Sequence, residues 1–434
     1  MKLWEKSGSV SPADLVESFT VGSDRDFDLL LAPYDVAGTL AHVTMLHKVG
    51  MLRDEDFQTL EAALKEIARE IADGRFTINP EVEDVHSQIE LLLTQRVGDA
   101  GKRVHTGRSR NDQVAVDIKL YLRDALKDIK DLCNSLFELL LSQSERYRDV
   151  LLPGYTHMQI AMPSSFGLWF AAWAECLVDD LELLAAAYAV TNKNPLGSAA
   201  GYGSSFPVDR QQTTELLGFR SLHYNVIAAQ MSRGRTEKIV AMALSSVAST
   251  LGRMAMDICL YVGQNHGFMK FPESLTTGSS IMPHKKNPDI FELIRARCNR
   301  IQALPNELSL LLTNLPSGYH RDLQLTKEIL FPGIQSLKDC LQMLLYALPQ
   351  AQPNEDILQD PKYSYLFSVE AVNALVAEGV SFREAYRTVG NSIDNGAFQS
   401  ERFDPSTHTL LGGIGNLALD QIRELWSDVL KKFS

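Results

Sequence analysis

Four short stretches concentrate the side chains that move protons and hold anions: HTGRSRNDQ (His105 to Gln113), GYTHMQ (Gly154 to Gln159), TTGSSIMPHKKNPD (Thr276 to Asp289) and GYHRDLQLTKE (Gly318 to Glu328). In the first, Ser109, Asn111 and Asp112 are good helix N-cap residues, and capping alone accounts for one of them. Arg108 and Arg110 beside the free N–H groups of a helix start would also receive a carboxylate, because the guanidinium fork binds both of its oxygens. In the second, His157 carries the imidazole best poised for proton transfer near neutral pH, and Thr156 and Gln159 could orient a ligand beside it. A lone histidine is more often structural than catalytic, so its case depends on what else converges on it. In the third, Gly278 and two serines permit an unusual backbone path that Pro283 then restricts, as in a lid held at both ends, although a linker has the same residues. Lys285 and Lys286 add positive charge, Asn287 can donate or accept, Pro288 suits a first helical turn, and Glu292 follows early in that helix.

Each stretch adjoins the end of a segment with helical periodicity. From Gln113 to about Arg148, Leu122, Leu126, Ile129, Leu132 and Leu136 form one apolar stripe with no glycine or proline between them. Such a helix is about 50 Å long at 1.5 Å per residue. Comparable segments run over Ser164 to Val190, Ser232 to Val262, Pro288 to Thr313 and Lys327 to Leu348, the fourth with a kink expected at Pro305. The pattern predicts an all-α fold with an elongated central bundle of five long helices. The expected division is a helical N-terminal part at 1–109, the bundle at 110–359 and a small helical C-terminal part at 360–434, where a helical pair turns around Gly379. An up-down bundle can bring remote stretches together at one end, so the four could build one site; four separately capped helix ends are the alternative. The helix from Ser232 to Val262 is rich in small residues and apolar over much of its circumference, which calls for cover on several sides, within one monomer or from other subunits.

The 434 residues, 45% hydrophobic and 22% charged, are those of a globular protein, and the net charge of -12 argues against nucleic-acid or anionic-membrane partners. Five cysteines lie dozens of residues apart with no CxxC pair, so neither a zinc site nor a disulfide framework is expected. The start, MKLWEKSGSVSPADL, lacks a signal-peptide apolar core, and charge is expected to interrupt every apolar run before it spans a bilayer; the expected location is cytoplasmic. No GxxxxGK[ST] is present, and GYGSSF near Gly201 lacks the spacing of a dinucleotide fingerprint, so phosphate-cradling loops are disfavoured.

GSSIMPHKKNPD resembles the signature loop of the fumarase/aspartase superfamily, whose members make or consume fumarate by anti elimination. Within it, HTGRSRNDQV, PGYTHMQ and PLGSAAGYGSSFPVDR resemble the argininosuccinate lyase branch. The resemblance covers most of the chain, in the family's order and spacing, and implies reversible cleavage of argininosuccinate to L-arginine and fumarate with no metal or organic cofactor. It also implies a homotetramer whose sites are shared among subunits.

Residue by residue, the resemblance makes Ser279 the catalytic base. Lys285 and Asn287 become stabilisers of the carbanion as an aci-carboxylate, which fixed donors favour electrostatically. His157 is matched to proton transfer at the leaving guanidinium, and Glu292 to the carboxylate that pairs with it. Ser109, Arg110, Asn111 and Thr156 match contacts to the succinate part; Tyr319, Gln324 and Lys327 match contacts to the substrate's carboxylates and arginine part. The segment from Phe19 departs from the family pattern, so no substrate contact is carried to Ser23, and His284 stands where glutamine is common.

Overall fold

The structure is a computed structural model that describes residues 14–399 and 403–433. The residues MKLWEKSGSVSPA, on which part of the signal-peptide reading rests, lie outside that range. Helices α1 (Asp14–Val21), α2 (Asp24–Lys48), α3 (Asp54–Ala72) and α4 (Val85–Val97) precede the long helices α5 (Arg110–Arg146) and α6 (Phe166–Thr191). After α7 (Arg210–Leu216) and α8 (Val226–Gln230) come α9 (Arg235–Val262), α10 (Asp289–Ile301), α11 (Leu304–Leu311) and α12 (Thr326–Ala347). The chain finishes with α13 (Ser368–Ala377), α14 (Phe382–Asp394) and α15 (Leu419–Leu430). The fold is all-α, as the periodicity predicts, and α13 and α14 pair around Gly379 in the left-handed region.

α5 begins where the sequence supplies a capping box: Asp112 accepts from the Ser109 amide at 2.9 Å, and Ser109 Oγ accepts from the Asn111 amide at 3.3 Å. Its stripe of Leu122, Leu126, Ile129 and Leu136 is fully buried. The expected fourth helix is two helices. α10 ends at Ile301 and α11 starts at Leu304, because Pro305 can occupy a first turn, where no N–H is required, more cheaply than a helix interior.

Packing fixes the direction of each long helix. Tyr121 of α5 lies 4.2 Å from Phe331 of α12, and Lys119 donates to Thr236 of α9 at 3.4 Å. α5, α9 and α12 therefore start at the same end. α6 and α10 run the other way, tied by Trp169 to Asp257 at 3.0 Å and by Arg295 to Met256 at 3.0 Å. α6 can begin against the end of α5 because residue 167 is glycine; a Cβ there would come within 2.5 Å of Arg148 Cα.

One apolar core runs through these helices and extends to Ile422, Trp426 and Val429 of α15, where the Trp426 indole stacks on Phe137 at 4.2 Å and donates to Asn134 at 2.8 Å. A second cluster joins α2, α3 and α4 around Leu46, Leu60 and Leu64, a third packs Ala41 of α2 with Val116 and Leu120 of α5 and Leu217, and a fourth joins α13 and α14. α9 packs on α6, α10, α11 and α12 within the chain and leaves Met242 and Met256 exposed.

Two findings depart from expectation. α2 and α9 are long and apolar enough to cross a membrane, so charge does not interrupt every apolar run; 61% and 56% of those windows are buried within the fold. The other is a hairpin, β1 (Leu151–Thr156) with β2 (Gln159–Ser165), joining α5 to α6. Its two-residue turn is His157–Met158, with φ of 52° and 60°, so GYTHMQ forms a hairpin tip and not a capped helix end. Short two-residue strands β3 (Lys193–Asn194) with β4 (Ser221–Leu222), and β5 (Met269–Lys270) with β6 (Gln352–Pro353), pin connecting segments.

Candidate active site

The common start of α5, α9 and α12 encloses a cavity of about 530 Å³. Ser109, Arg110, Asn111, Tyr319, Gln324 and Lys327 all line it, so the first and fourth polar stretches converge. The second and third do not join them. Thr156 and His157 are exposed at the hairpin tip, and Ser279, Lys285, Asn287 and Glu292 belong to the loop and helix following α9, all at the opposite end of the bundle. α9 alone, with 28 residues, separates the ends by roughly 40 Å. Among the described residues, no hydrogen bond joins His157 to Glu292.

At the cavity end, Asp84 caps α4 by accepting from the Ser87 amide at 2.7 Å and is ion-paired with Arg110, which also donates to Ser87 at 3.1 Å. Burial raises the Asp84 carboxyl, but the charges of His86 and Arg110 and the Ser87 amide outweigh it and bring the group to about 2. Arg110 is thus a held cation at the cavity wall. Arg108, its near neighbour in sequence, turns into the core, donates to Thr39 at 3.0 Å and takes no part in the cavity.

Behind the wall, the His86 ring lies 3.3 Å from Asp35 and 3.4 Å from Asp117, all three buried. Burial and the neighbouring Asp35 push the Asp117 carboxyl well up, while His86, Arg108 and Gln113 offset burial and hold Asp35 low. The ligand atoms of this triad lie within 4.8 Å of one another, a spacing open to a cation, but the buried Arg108 guanidinium already supplies positive charge to both carboxylates. The cluster lies directly behind His86, which lines the cavity, and the His86 Nδ1 and both Asp117 carboxylate oxygens have no hydrogen-bond partner among the described residues.

Lys327 is buried and paired with Asp24 at 2.7 Å and also with Asp28, both on α2. Gln324 donates to the Thr20 carbonyl at 3.0 Å, linking the start of α12 to the N-terminal region. Asp112 stabilises the floor from behind: besides capping α5 it accepts from the amides of Gly197 at 2.9 Å and Ala199 at 2.8 Å, fixing the PLGSAAG turn.

At the other end, the signature loop is pinched at its neck by reciprocal Thr277 and Asn287 backbone bonds of 3.1 and 2.8 Å. Inside it, Ser279 Oγ accepts from the amides of Met282 at 3.2 Å and Ile281 at 3.4 Å. Lys286 pairs with Glu273 at 2.8 Å, and Lys285 is exposed.

Asp24, Asp28, Asp84, His86 and Arg233 line the cavity without having been singled out in sequence. The segment EDVHSQIE (Glu83 to Glu90) carried the available signal, a charged stretch with an N-cap aspartate opening a helix.

A family model described as "Lyase" matches residues 10–303 of this helical bundle. The chain belongs to this lyase family of the fumarase/aspartase superfamily. Within it, the chain is 54% identical over 433 residues to the argininosuccinate lyase of Bacteroides thetaiotaomicron, covering 100% of this chain and 96% of the relative. It is also 38% identical to the argininosuccinate lyase of Stenotrophomonas maltophilia, with 98% of each covered. Among solved structures, EDDS lyase in complex with formate superposes with a TM-score of 0.73 at 22% identity over 98% of this chain and 91% of that one. A cobalt-bound fumarate lyase:delta crystallin from Brucella melitensis gives 0.74 at 16% identity over 94% and 92%. These two likenesses concern the fold alone.

Proposed function

We infer that this chain is an argininosuccinate lyase of arginine biosynthesis, acting in the cytoplasm as a homotetramer. The observation that carries the reading is the cavity where Ser109, Arg110, Asn111, Tyr319, Gln324 and Lys327 meet, in a chain similar over its whole length to argininosuccinate lyases. The proton-transfer groups stand at the far end of the same chain, so a complete site requires the hairpin and the loop of neighbouring subunits to reach the cavity.

In the assembled site, the carbon-bound proton beside the succinyl carboxylate passes to Ser279 Oγ, the adjacent C–N bond breaks, and fumarate and arginine separate. A serine hydroxyl is a weak base, and the two amides aimed at Ser279 Oγ, together with Lys285, would stabilise its ionised form. Lys285 and Asn287 stabilise the aci-carboxylate as charge develops on it. His157 of one subunit, paired with Glu292 of another, protonates the leaving nitrogen. Ser109, Arg110, Asn111 and Thr156 hold the succinate part, and Tyr319, Gln324 and Lys327 the arginine part. No step calls on a metal or organic cofactor.

The test is fumarate absorbance from argininosuccinate with the purified wild type and Ser279→Ala. Steady fumarate release by the wild type, lost in the variant with substrate binding kept, is expected. Release only from another fumarate adduct, such as adenylosuccinate or aspartate, would overturn the substrate; wild-type turnover by Ser279→Ala would overturn the base.

A further inference from the structure

His157 stands on a hairpin that needs support from below. A two-stranded ribbon is at best marginally stable by itself, and this one reverses through two residues in the left-handed region, so its tip keeps one direction only if the strands are anchored. Tyr155 supplies an anchor two residues, or about 7 Å, before His157. The register of β1 against β2 shifts between Pro153 and Tyr155, at Gly154, where a Cβ would lie 2.8 Å from the Met162 carbonyl oxygen. Such irregularities re-aim a side chain, and here Tyr155 turns toward the body of the protein. Its hydroxyl meets that of Tyr363 at 3.3 Å, and its ring packs on His266 at 5.8 Å and Phe268 at 6.2 Å.

The receiving side is rigid. Tyr363 is 2% exposed, and its ring packs on the fully buried Phe268 at 6.3 Å. Phe268 is held by its backbone, donating to the Tyr261 carbonyl and accepting from the Asn354 amide, each at 2.8 Å. The Lys362 ammonium lies 4.9 Å from the centre of the Tyr363 ring, pairs with Asp360 at 3.0 Å and donates to the Asn265 carbonyl at 3.4 Å. Burial and the link to Tyr363 push the Tyr155 phenol up to about 12, and burial holds Tyr363 above its ordinary value as well. Both hydroxyls therefore keep their protons at working pH and do no acid–base chemistry. Phenylalanine at both positions would fill the same space, so what the hydroxyl pair adds is direction.

We propose that Tyr155 and Tyr363 are positioning residues for His157, their hydroxyl pair fixing the angle at which the hairpin presents the imidazole to a neighbouring subunit. The proposal rests on the lyase reading for the task of His157. Neither tyrosine touches substrate; both act through the strand that carries the tip. Loss of either hydroxyl leaves the other without its partner and lets the tip sway, which slows proton transfer more than it weakens binding, because Thr156 is one of several groups that hold the succinate part.

The test compares Tyr155→Phe, Tyr363→Phe and the double variant in the purified oligomer. Removing one partner of a hydrogen bond costs stability, whereas replacing both with apolar groups of the same shape is nearly neutral. Each single variant should therefore unfold at a lower temperature, and the double variant should return to near the wild-type midpoint. In all three, kcat for fumarate release from argininosuccinate should fall by about threefold to tenfold, the worth of one net hydrogen bond, with KM moving less. Recovery of kcat along with the midpoint in the double variant would reduce the pair to a structural role and overturn the proposal, as would kcat unchanged in every variant or a change confined to KM. Amide hydrogen exchange across residues 151–165 should quicken in all three variants, a readout that needs no turnover. Quickened exchange in a protein whose wild type releases no fumarate would refute the lyase reading alone; fumarate release with exchange and kcat unmoved would refute the positioning role alone.

Discussion

The placement of the two half-sites makes mixing of inactive variants the most informative perturbation. Asn111→Ala damages the cavity end and Ser279→Ala the loop end. Within one chain these ends are roughly 40 Å apart along the 28 residues of α9. Loop movement cannot bridge that gap, because the neck is pinned at Thr277 and Asn287 and the doubled-back segment between them reaches only about 15 Å when extended. If each site draws residue 111 and residue 279 from different subunits, a randomised one-to-one assembly has both intact at about one site in four. Co-expression, or unfolding and refolding of the mixed variants, should therefore recover about a quarter of wild-type fumarate release, against a very low level for either variant alone. Activity fixed at the sum of the parents after verified subunit exchange would refute sharing of the site, as would a fully active monomer in sedimentation.

Two further predictions concern the supports of the cavity. Lys119 is buried between Thr236 and His223, and burial lowers its amine from 10.5 to about 7. The unfolded chain then holds more protons between those values, so this group's contribution to stability rises with pH from about 7 to 10.5 and its penalty is full below about 7. Lys119→Met should raise the thermal midpoint most at or below pH 7, with the gain fading toward pH 10; a gain independent of pH would contradict this account. Asp112 satisfies three backbone amides, so Asp112→Ala should cost at least about 3 kcal/mol in denaturant unfolding. A loss under about 1 kcal/mol would show that water replaces the carboxylate there.

Periodicity and caps made the long helices legible: the unbroken stripe from Leu122 to Leu136 gives the body of α5 from Gln113, and the N-cap candidates Ser109, Asn111 and Asp112 mark its start, although only the structure shows that Ser109 and Asp112 form the box. The hairpin was less visible, because Pro153, Gly154 and Pro163 interrupt its strands and read as turn residues. Which polar stretches meet depends on the direction in which each helix crosses the core, and no local pattern encodes that. Arg108 and Arg110 look alike in sequence, yet one donates to Thr39 in the core and the other borders the cavity. Asp24, His86 and Arg233 draw their significance from burial beside opposite charge, which arises only once α2, α4 and α9 have packed.

The turn at His157 and Met158 has a consequence for anyone seeking a sturdier version of this protein. Both residues occupy backbone conformations that asparagine and glycine adopt at much lower cost, and an Asn-Gly pair is the favoured solution for a two-residue hairpin turn. A search for stabilising substitutions would select this tip early, gaining about 1–2 kcal/mol of relieved strain while deleting the imidazole. On the proposed mechanism the exposed bend is a place where durability and turnover pull the same two residues in opposite directions.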